Sequence, residues 1–371
     1  MEFEFGAPGT IMPPADKAVD LAKRAEADGY DSIWWPSHLM GWHPESVWTE
    51  DVTPLAQFQA NPHTYFDPLV MMPVVGAQTE RIRVGVVVTD VITHHPAVLA
   101  QTALTIDHVT KGRMILGLGS GEQLNVTPYG MEWDKPVGHL DEAIDVIRLL
   151  WRAEAAVDFD GRFYQLEDAV LGLQPYTPGG PPIWIAAHKP RMLGITGRKG
   201  DGWLPTKMFA EEYAESLAAI RKASAEAGRP EDAVTPGMLA YVIVGPDDET
   251  VERIKAHPPV RLLCVLLPSE DFQKLGIDPP LGSAGSGFHD FLPTRADRAE
   301  ALRIAEAIPP RTLDYYAFCG TVDQIVEEFA RFHEAGLRHP ILWNITAFGD
   351  PSLAGFSFRA LNEVRERLRA L

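Results

Sequence analysis

Residues 115–125 read ILGLGSGEQLN, an apolar run followed by glycines at alternate positions (Gly117, Gly119, Gly121), then a carboxylate and an amide. One reading is the phosphate-cradling turn of a dinucleotide fold, which requires G-x-G-x-x-G and an acidic residue closing a following strand. Counted from Gly117, the sixth position is Glu122, and no suitably placed acidic residue follows. That reading fails. A nucleophile elbow fails too, because the residues two before and two after Ser120 are Leu118 and Glu122, where glycines are needed. What remains is a strand end kept slim so that the chain can turn tightly into a loop. It leaves Glu122 and Asn125 as a polar pair just beyond the strand.

The same kind of unit recurs on both sides. FEFGAP precedes a helical pattern in which Ala18, Leu21, Ala22 and Ala25 recur and which stops at Gly29. SIWWPS follows, then a long loop rich in Trp, His and Pro. Next come the helix DPLVMMPVVGAQT, the strand IRVGVVVT, the helix PAVLAQTALTIDHVT and the strand MILGLGS. After the helix HLDEAIDVIRLLWR, AVDFDGRFYQLEDAVL reads as a hairpin turning at Asp160-Gly161. PIWIAA, GWLPT, GMLAYVIV and HPILWNIT supply four more strands, separated by helical segments, and LNEVRERLRAL closes a terminal helix. Short strands apolar on both faces and separated by helices imply a parallel sheet covered by helices.

Eight such units in 371 residues predict an α/β fold, a (β/α)8 TIM barrel with insertions that forms one domain over 1–371. A doubly wound sheet is the structural alternative. Residues 246–312, rich in Pro and Gly and weak in periodicity, read as an insertion. In a barrel, chemistry sits at the C-terminal ends of the strands, which gathers PSHLMGW, VVTD, GSGEQLN and AAHKPR around one mouth.

Composition narrows the class. The chain is 46% hydrophobic, enough for a large core, and its 33 basic against 51 acidic residues give a net charge of −18. Such a field argues against nucleic acid or an anionic membrane as partner. Cys264 and Cys319 are the only cysteines and have no metal-ligand spacing, so neither a disulfide framework nor structural zinc is expected. MEFEFGAPGT lacks the features of a signal peptide, and no long apolar run follows, so a soluble cytoplasmic protein is expected.

Several polar residues lie at the expected mouth. His38 ends the second strand; a His38–His43 metal pair is weak because loop spacing fixes no geometry and no carboxylate ligand is obvious. His94 and His95 precede Pro96, where capping or packing is the default, and Cys319 reads as a small core residue. AAHKPRM carries Lys189 and Arg191 at a strand-to-helix junction, where basic side chains and helix N–H groups can hold an anion.

Long segments, from AEADGYDSIWWPSHL through HPAVLAQTALTIDHVTKGRMILGLGSGE to GTVDQIVEEFARFHEAGLRHPIL, resemble the bacterial luciferase-like superfamily. That family has a (β/α)8 barrel and binds flavins or the deazaflavin F420. SGEQLN, DFDGRFYQL and TGRKGDGW look like its F420-dependent branch, which includes F420-dependent glucose-6-phosphate dehydrogenases. NVTPYGMEWDKP and IWIAAHKPRMLGITGR are closer to the phthiodiolone dimycocerosates ketoreductase group.

The resemblance implies F420 as cofactor, with FMN as the alternative. It makes His38 the histidine facing the deazaflavin ring, Trp42 a tryptophan beside the reacting centre and Glu122 the acid. Cofactor contacts would come from Ser37 (usually Asp in the branch), His38, Val87, Thr89, Gly121 and Asn125. Ala187, His188 and Lys189 match the phosphate loop, although His188 and Lys189 stand where the dehydrogenases have glycines. Lys189 and Arg191, with Lys207 beyond them, are the cations for the cofactor's phosphate and acidic tail. A cis peptide is expected at Val86–Val87. Ile11 replaces a dehydrogenase glutamate, which weighs against glucose 6-phosphate.

Hydride transfer to a ketone builds negative charge on oxygen, so His38 and Glu122 are the candidate donors. Trp34, Trp35, Trp42, Phe58, Tyr65 and Phe66 are the candidates for an apolar pocket that keeps Glu122 protonated. The implied enzyme is an F420-dependent ketoreductase or alcohol dehydrogenase acting on apolar, including lipid-like, alcohols or ketones, and working as a homodimer. The competing expectations are an FMN-dependent monooxygenase on the same scaffold and a catalytically silent flavin-binding protein.

Overall fold

The computed structural model describes residues 3–283, 285 and 287–370. Among these the strands are β1 (Gly6–Pro8), β2 (Ser32–Trp35), β3 (Arg83–Val86), β4 (Thr89–Asp90), β5 (Met114–Gly119), β6 (Val157–Asp160), β7 (Gln165–Ala169), β8 (Ile183–Ile185), β9 (Gly202–Trp203), β10 (Thr235–Val244), β11 (Ala317–Gly320) and β12 (His339–Asn344). Hydrogen-bonded neighbours run β12, β1, β2, β3, β5, β8, β9, β10, and β10 pairs back with β12. Every ladder in this ring is parallel, so eight strands close a barrel, and they coincide with the eight strand segments expected from the sequence.

The hairpin also forms, as the antiparallel pair β6–β7. The short β11 was not anticipated: it contains Cys319 and pairs with the C-terminal part of β10. The described residues of 246–312 are largely helical, with Asp248–Lys255, Pro258–Leu262, Ser269–Lys274 and Arg298–Ala307 as their main helices.

Strand alternation sorts side chains into two apolar groups. Ile33, Trp35, Val84, Val86, Leu116, Leu118, Ile183 and Ile185 join the core shared with the surrounding helices. Trp34, Ile115, Trp184 and Ile341 form a separate cluster inside the ring. The two indoles are large for that space. A Cβ at Gly85 would lie 2.4 Å from the Trp34 ring, and one at Gly202 would lie 2.2 Å from Trp184. Glycine at these inward positions is therefore a condition of the packing. Capping helps fix the helix starts: Asp67 accepts from the Leu69 N–H at 2.8 Å, and Thr321 with Gln324 forms a capping box. No described helix is long and apolar enough to cross a membrane.

The N-terminal floor of the barrel has the outline of a catalytic triad. Ser32 Oγ lies 2.6 Å from His339 Nε2, and His339 Nδ1 lies 3.1 Å from Glu4 Oε2. Trp34 Nε1 donates to the same serine oxygen at 2.7 Å. Yet Ser32 and His339 are fully buried, so no substrate reaches them. The chain of hydrogen bonds instead satisfies polar groups beneath the two tryptophans.

The hydrogen bond from His339, aided by Arg83, holds the Glu4 carboxyl down at about 2 against the opposing effect of burial. A carboxylate depressed by folding adds stability that is fully present above its ordinary value of 4.5 and is lost as pH falls toward about 2. Thermal melting followed across that window should therefore fall less steeply for Glu4→Gln than for the wild type. Identical slopes would show that this carboxylate is not linked to folding.

Candidate active site

Two strand ends meet at the mouth. Beyond β2 the chain runs Pro36, Ser37, His38; beyond β5 it runs Ser120, Gly121, Glu122 into a single tight turn, Gln123–Asn125. Gly121 has φ of +81°, a conformation that glycine adopts without strain and that aims Glu122 and Asn125 back across the opening. A Cβ on Gly117 would lie 1.9 Å from the Val86 carbonyl oxygen, so that glycine serves the close approach of β3.

Asn125 is buried and joins the two ends. Its Oδ1 accepts from the backbone N–H groups of Leu39 and Met40, each at 2.8 Å. Its Nδ2 lies 2.9 Å from His38 Nδ1 and donates to Glu122 Oε2 at 3.0 Å. His38 Nδ1 and Glu122 Oε2 are themselves 3.4 Å apart. Trp42 and Tyr65 meet the His38 ring edge-on, with centroids at 5.3 and 5.2 Å. The Trp42 indole N–H is buried and has no hydrogen-bond partner among the described residues. A buried donor without an acceptor is costly and marks a place where a ligand oxygen fits.

The structure thus brings Ser37, His38, Trp42, Gly121, Glu122 and Asn125 together. Ser37 Oγ donates toward Thr89 Oγ1 at 3.4 Å, which draws in the end of β4. Val87 lies beside it, with one correction: the non-prolyl cis bond is Val87–Val88, not Val86–Val87. Val86 is still paired with Trp35, and the Val87 N–H still donates to the Trp35 carbonyl at 2.8 Å. The break in the strand therefore falls one residue later.

The β8 end adjoins the β5 end, where the Ala186 N–H donates to the Leu118 carbonyl at 2.9 Å. Ala187 is buried, and its carbonyl accepts from the Trp203 indole at 2.8 Å. His188 is exposed and accepts from the Thr206 backbone N–H at 3.2 Å. Lys189 forms an ion pair with Glu270, from the 246–312 segment. Exposed Arg191 has no ion pair among the described residues, which makes it the open cation at this helix start. Lys207 does not belong with them. It is buried and held by Glu328 at 2.8 Å and by the Asp314 carbonyl.

The aromatic pocket also differs from expectation. Trp34 is fully buried inside the barrel and Trp35 in the core shared with the helices, and Phe58 is largely exposed. Glu122 itself keeps about a quarter of its side chain exposed. Tyr241 was missed by the sequence reading. Burial, and then the nearby Tyr65 and Glu122, push its hydroxyl well above the usual tyrosine range. The signal was available in the alternation of β10, where Gly237 and Leu239 already face the inner cluster. His43, whose pairing with His38 on a metal is weak from sequence, bonds the Pro259 carbonyl at 2.9 Å. No group of metal-ligating side chains occurs among the described residues.

A family model described as luciferase-like monooxygenase matches residues 2–339. The phthiodiolone/phenolphthiodiolone dimycocerosates ketoreductase of Mycobacterium bovis is 34% identical over 337 residues, covering 90% of this chain and 88% of that protein. The F420-dependent glucose-6-phosphate dehydrogenase of Nakamurella multipartita is 28% identical over 380 residues, covering 100% of this chain and 97% of that protein. Among solved structures, an F420-dependent secondary alcohol dehydrogenase in complex with an F420-acetone adduct superposes with a TM-score of 0.77. At 22% identity, with 98% of each chain covered, that likeness speaks to the fold.

Proposed function

Since this chain belongs to the luciferase-like monooxygenase family, we propose that its barrel mouth is the active site of an F420-dependent oxidoreductase. The reaction is hydride transfer between the deazaflavin and a carbonyl or alcohol, in the manner of a ketoreductase. One observation carries the reading: the Trp42 N–H is buried without an acceptor among the described residues, and its ring is set against His38. A buried N–H donor beside a histidine ring suits an oxygen that gains negative charge as a ketone is reduced. Trp42 and Tyr65 around that point favour a substrate that is apolar near its carbonyl.

The residues present fit a deazaflavin. Ser37, His38, Val87, Thr89 and Gly121 would hold its ring system, and Ala187, His188, Lys189 and Arg191 its phosphate and acidic tail. Arg191 is open to an anion, whereas Lys189 must leave Glu270 to join it. When bound, the cofactor supplies the hydride at a ring carbon. The protein's part is to orient the ketone, exclude water and manage one proton, with Glu122 as the acid.

Separate titrations of the purified protein with F420 and FMN should show binding of F420, and the complex should turn over a panel of apolar ketones and alcohols. Tight binding of FMN with none of F420 would point to a monooxygenase, and a bound cofactor inert to the whole panel would mean a silent binder. With F420 present, Glu122→Gln should lower kcat by at least about a hundredfold. Near-normal turnover would remove Glu122 from the role of acid.

The protein also works as a homodimer on this reading. The helix Pro68–Gly76 is apolar on every side; Leu69, Met71, Met72 and Val75 face inward, while Val70 and Val74 are exposed. Val98 and Val109 are exposed on the adjoining helix, Pro96–Thr110. An apolar helix is normally covered on all faces, and a second copy would cover this one. Sedimentation should find a dimer that becomes a monomer in Val70→Glu/Val74→Glu with its circular dichroism unchanged. A monomeric wild type would refute the assignment.

A further inference from the structure

We infer that Asn125 is a positioning residue that locks His38 as the neutral Nε2–H tautomer, so that His38 lends a hydrogen bond to the reacting oxygen but transfers no net proton. This rests on the oxidoreductase reading above.

The inference follows from the direction of each hydrogen bond. A backbone N–H can only donate, so the amide atom of Asn125 that faces the Leu39 and Met40 N–H groups at 2.8 Å must be its oxygen. The other atom is then the nitrogen, with two hydrogens. One goes to Glu122 Oε2 at 3.0 Å and the other to His38 Nδ1 at 2.9 Å. Both lone pairs and both hydrogens of the amide are taken by protein, which leaves Asn125 nothing to offer a cofactor. A ring nitrogen that accepts a hydrogen bond carries no proton. The imidazole proton therefore sits on Nε2, on the opposite side of the ring, where no partner occurs among the described residues.

The other titratable neighbours do not reverse this. Glu122 Oε2 is 3.4 Å from Nδ1, longer than a good hydrogen bond, and already accepts from Asn125. Tyr65 meets the ring edge-on through its aromatic face. A general base needs a free lone pair facing the substrate, and here the lone pair faces the amide. Nor does Nε2 give its proton away. With no proton on Nδ1, the loss would leave an imidazolate.

The proton account then closes without His38. In carbonyl reduction the carbon gains the hydride, and the C=O π pair becomes the alkoxide lone pair held by His38 and Trp42. The proton that completes the hydroxyl comes from the Glu122 carboxyl, which becomes a carboxylate and is reprotonated from water through its exposed part. In the reverse direction the alcohol proton goes to Glu122.

Two measurements test this. In cofactor-free protein labelled with 15N-histidine, two-bond 1H–15N correlations at alkaline pH report the tautomer of His38, whose signal is the one lost in His38→Gln. The wild type should show Nε2–H. Asn125→Asp keeps the acceptor for Leu39 and Met40 but turns the donor into an acceptor, and should show Nδ1–H. In turnover, His38→Gln keeps an N–H donor and should lose no more than about tenfold in kcat, whereas His38→Ala should lose about a hundredfold. An Nδ1–H wild type, or a Gln variant as impaired as the Ala variant, would overturn the assignment. An Nε2–H wild type that never turns over F420 would sink the functional reading while supporting the tautomer.

Discussion

Trp34 and Trp184 lie 5.3 Å apart, centroid to centroid, inside a ring of eight short strands. Filling the interior with indoles sets conditions on every neighbouring strand. Positions that face them must be glycine or must sit a layer above or below. The floor beneath them closes with Ser32, His339 and Glu4, whose hydrogen bonds satisfy the buried Trp34 N–H. The floor is thereby closed, and open space for a ligand lies at the other end, where strands run into loops and longer side chains can project.

At that end a single amide organises the polar groups. Asn125 clamps the backbone after His38 with its oxygen and holds both His38 and Glu122 with its nitrogen, so the ends of β2 and β5 are tied together. The glycines of β5 serve this arrangement. Gly117 lets β3 come close, and Gly121 takes the left-handed turn that returns the chain across the mouth. Ordinary side chains at these two points would separate the groups that Asn125 joins.

The barrel was legible because its strands are short, apolar on both faces and separated by strongly periodic helices, a pattern that local sequence states directly. The strand-end histidine and the Glu122–Asn125 pair were legible for a related reason: polar residues directly after an apolar strand have few places to go. What sequence could not supply was direction and depth. Trp34 and Trp35 are adjacent and chemically identical, yet one faces the inner cluster and the other the helices, and neither borders the open mouth. Lys207 resembles any other lysine near the expected anion site until its burial against Glu328 is seen. Tyr241 became visible only once the alternation of β10 was fixed by its neighbours. The cis bond lies one residue later than expected, after the last ladder hydrogen bond of β3, which sits on Val87.

The two histidine constellations of this barrel show how little residue type alone decides. On the floor, His339 pairs with a carboxylate through Nδ1 and with a serine through Nε2, and burial pushes its pKa down. All of its hydrogen-bonding capacity is internal, so the group contributes only to the fold. At the mouth, His38 meets an amide donor through Nδ1 and leaves Nε2 without a partner among the described residues. A serine, a histidine and a glutamate in triad order are inert where no substrate enters. A histidine, an asparagine and a glutamate at the opening differ in that one histidine nitrogen has no partner among the described residues, which is what the proposed chemistry needs. The decisive variable is which hydrogen-bonding atom the fold leaves unsatisfied, and in this protein the Trp42 N–H and the His38 Nε2–H are left so together.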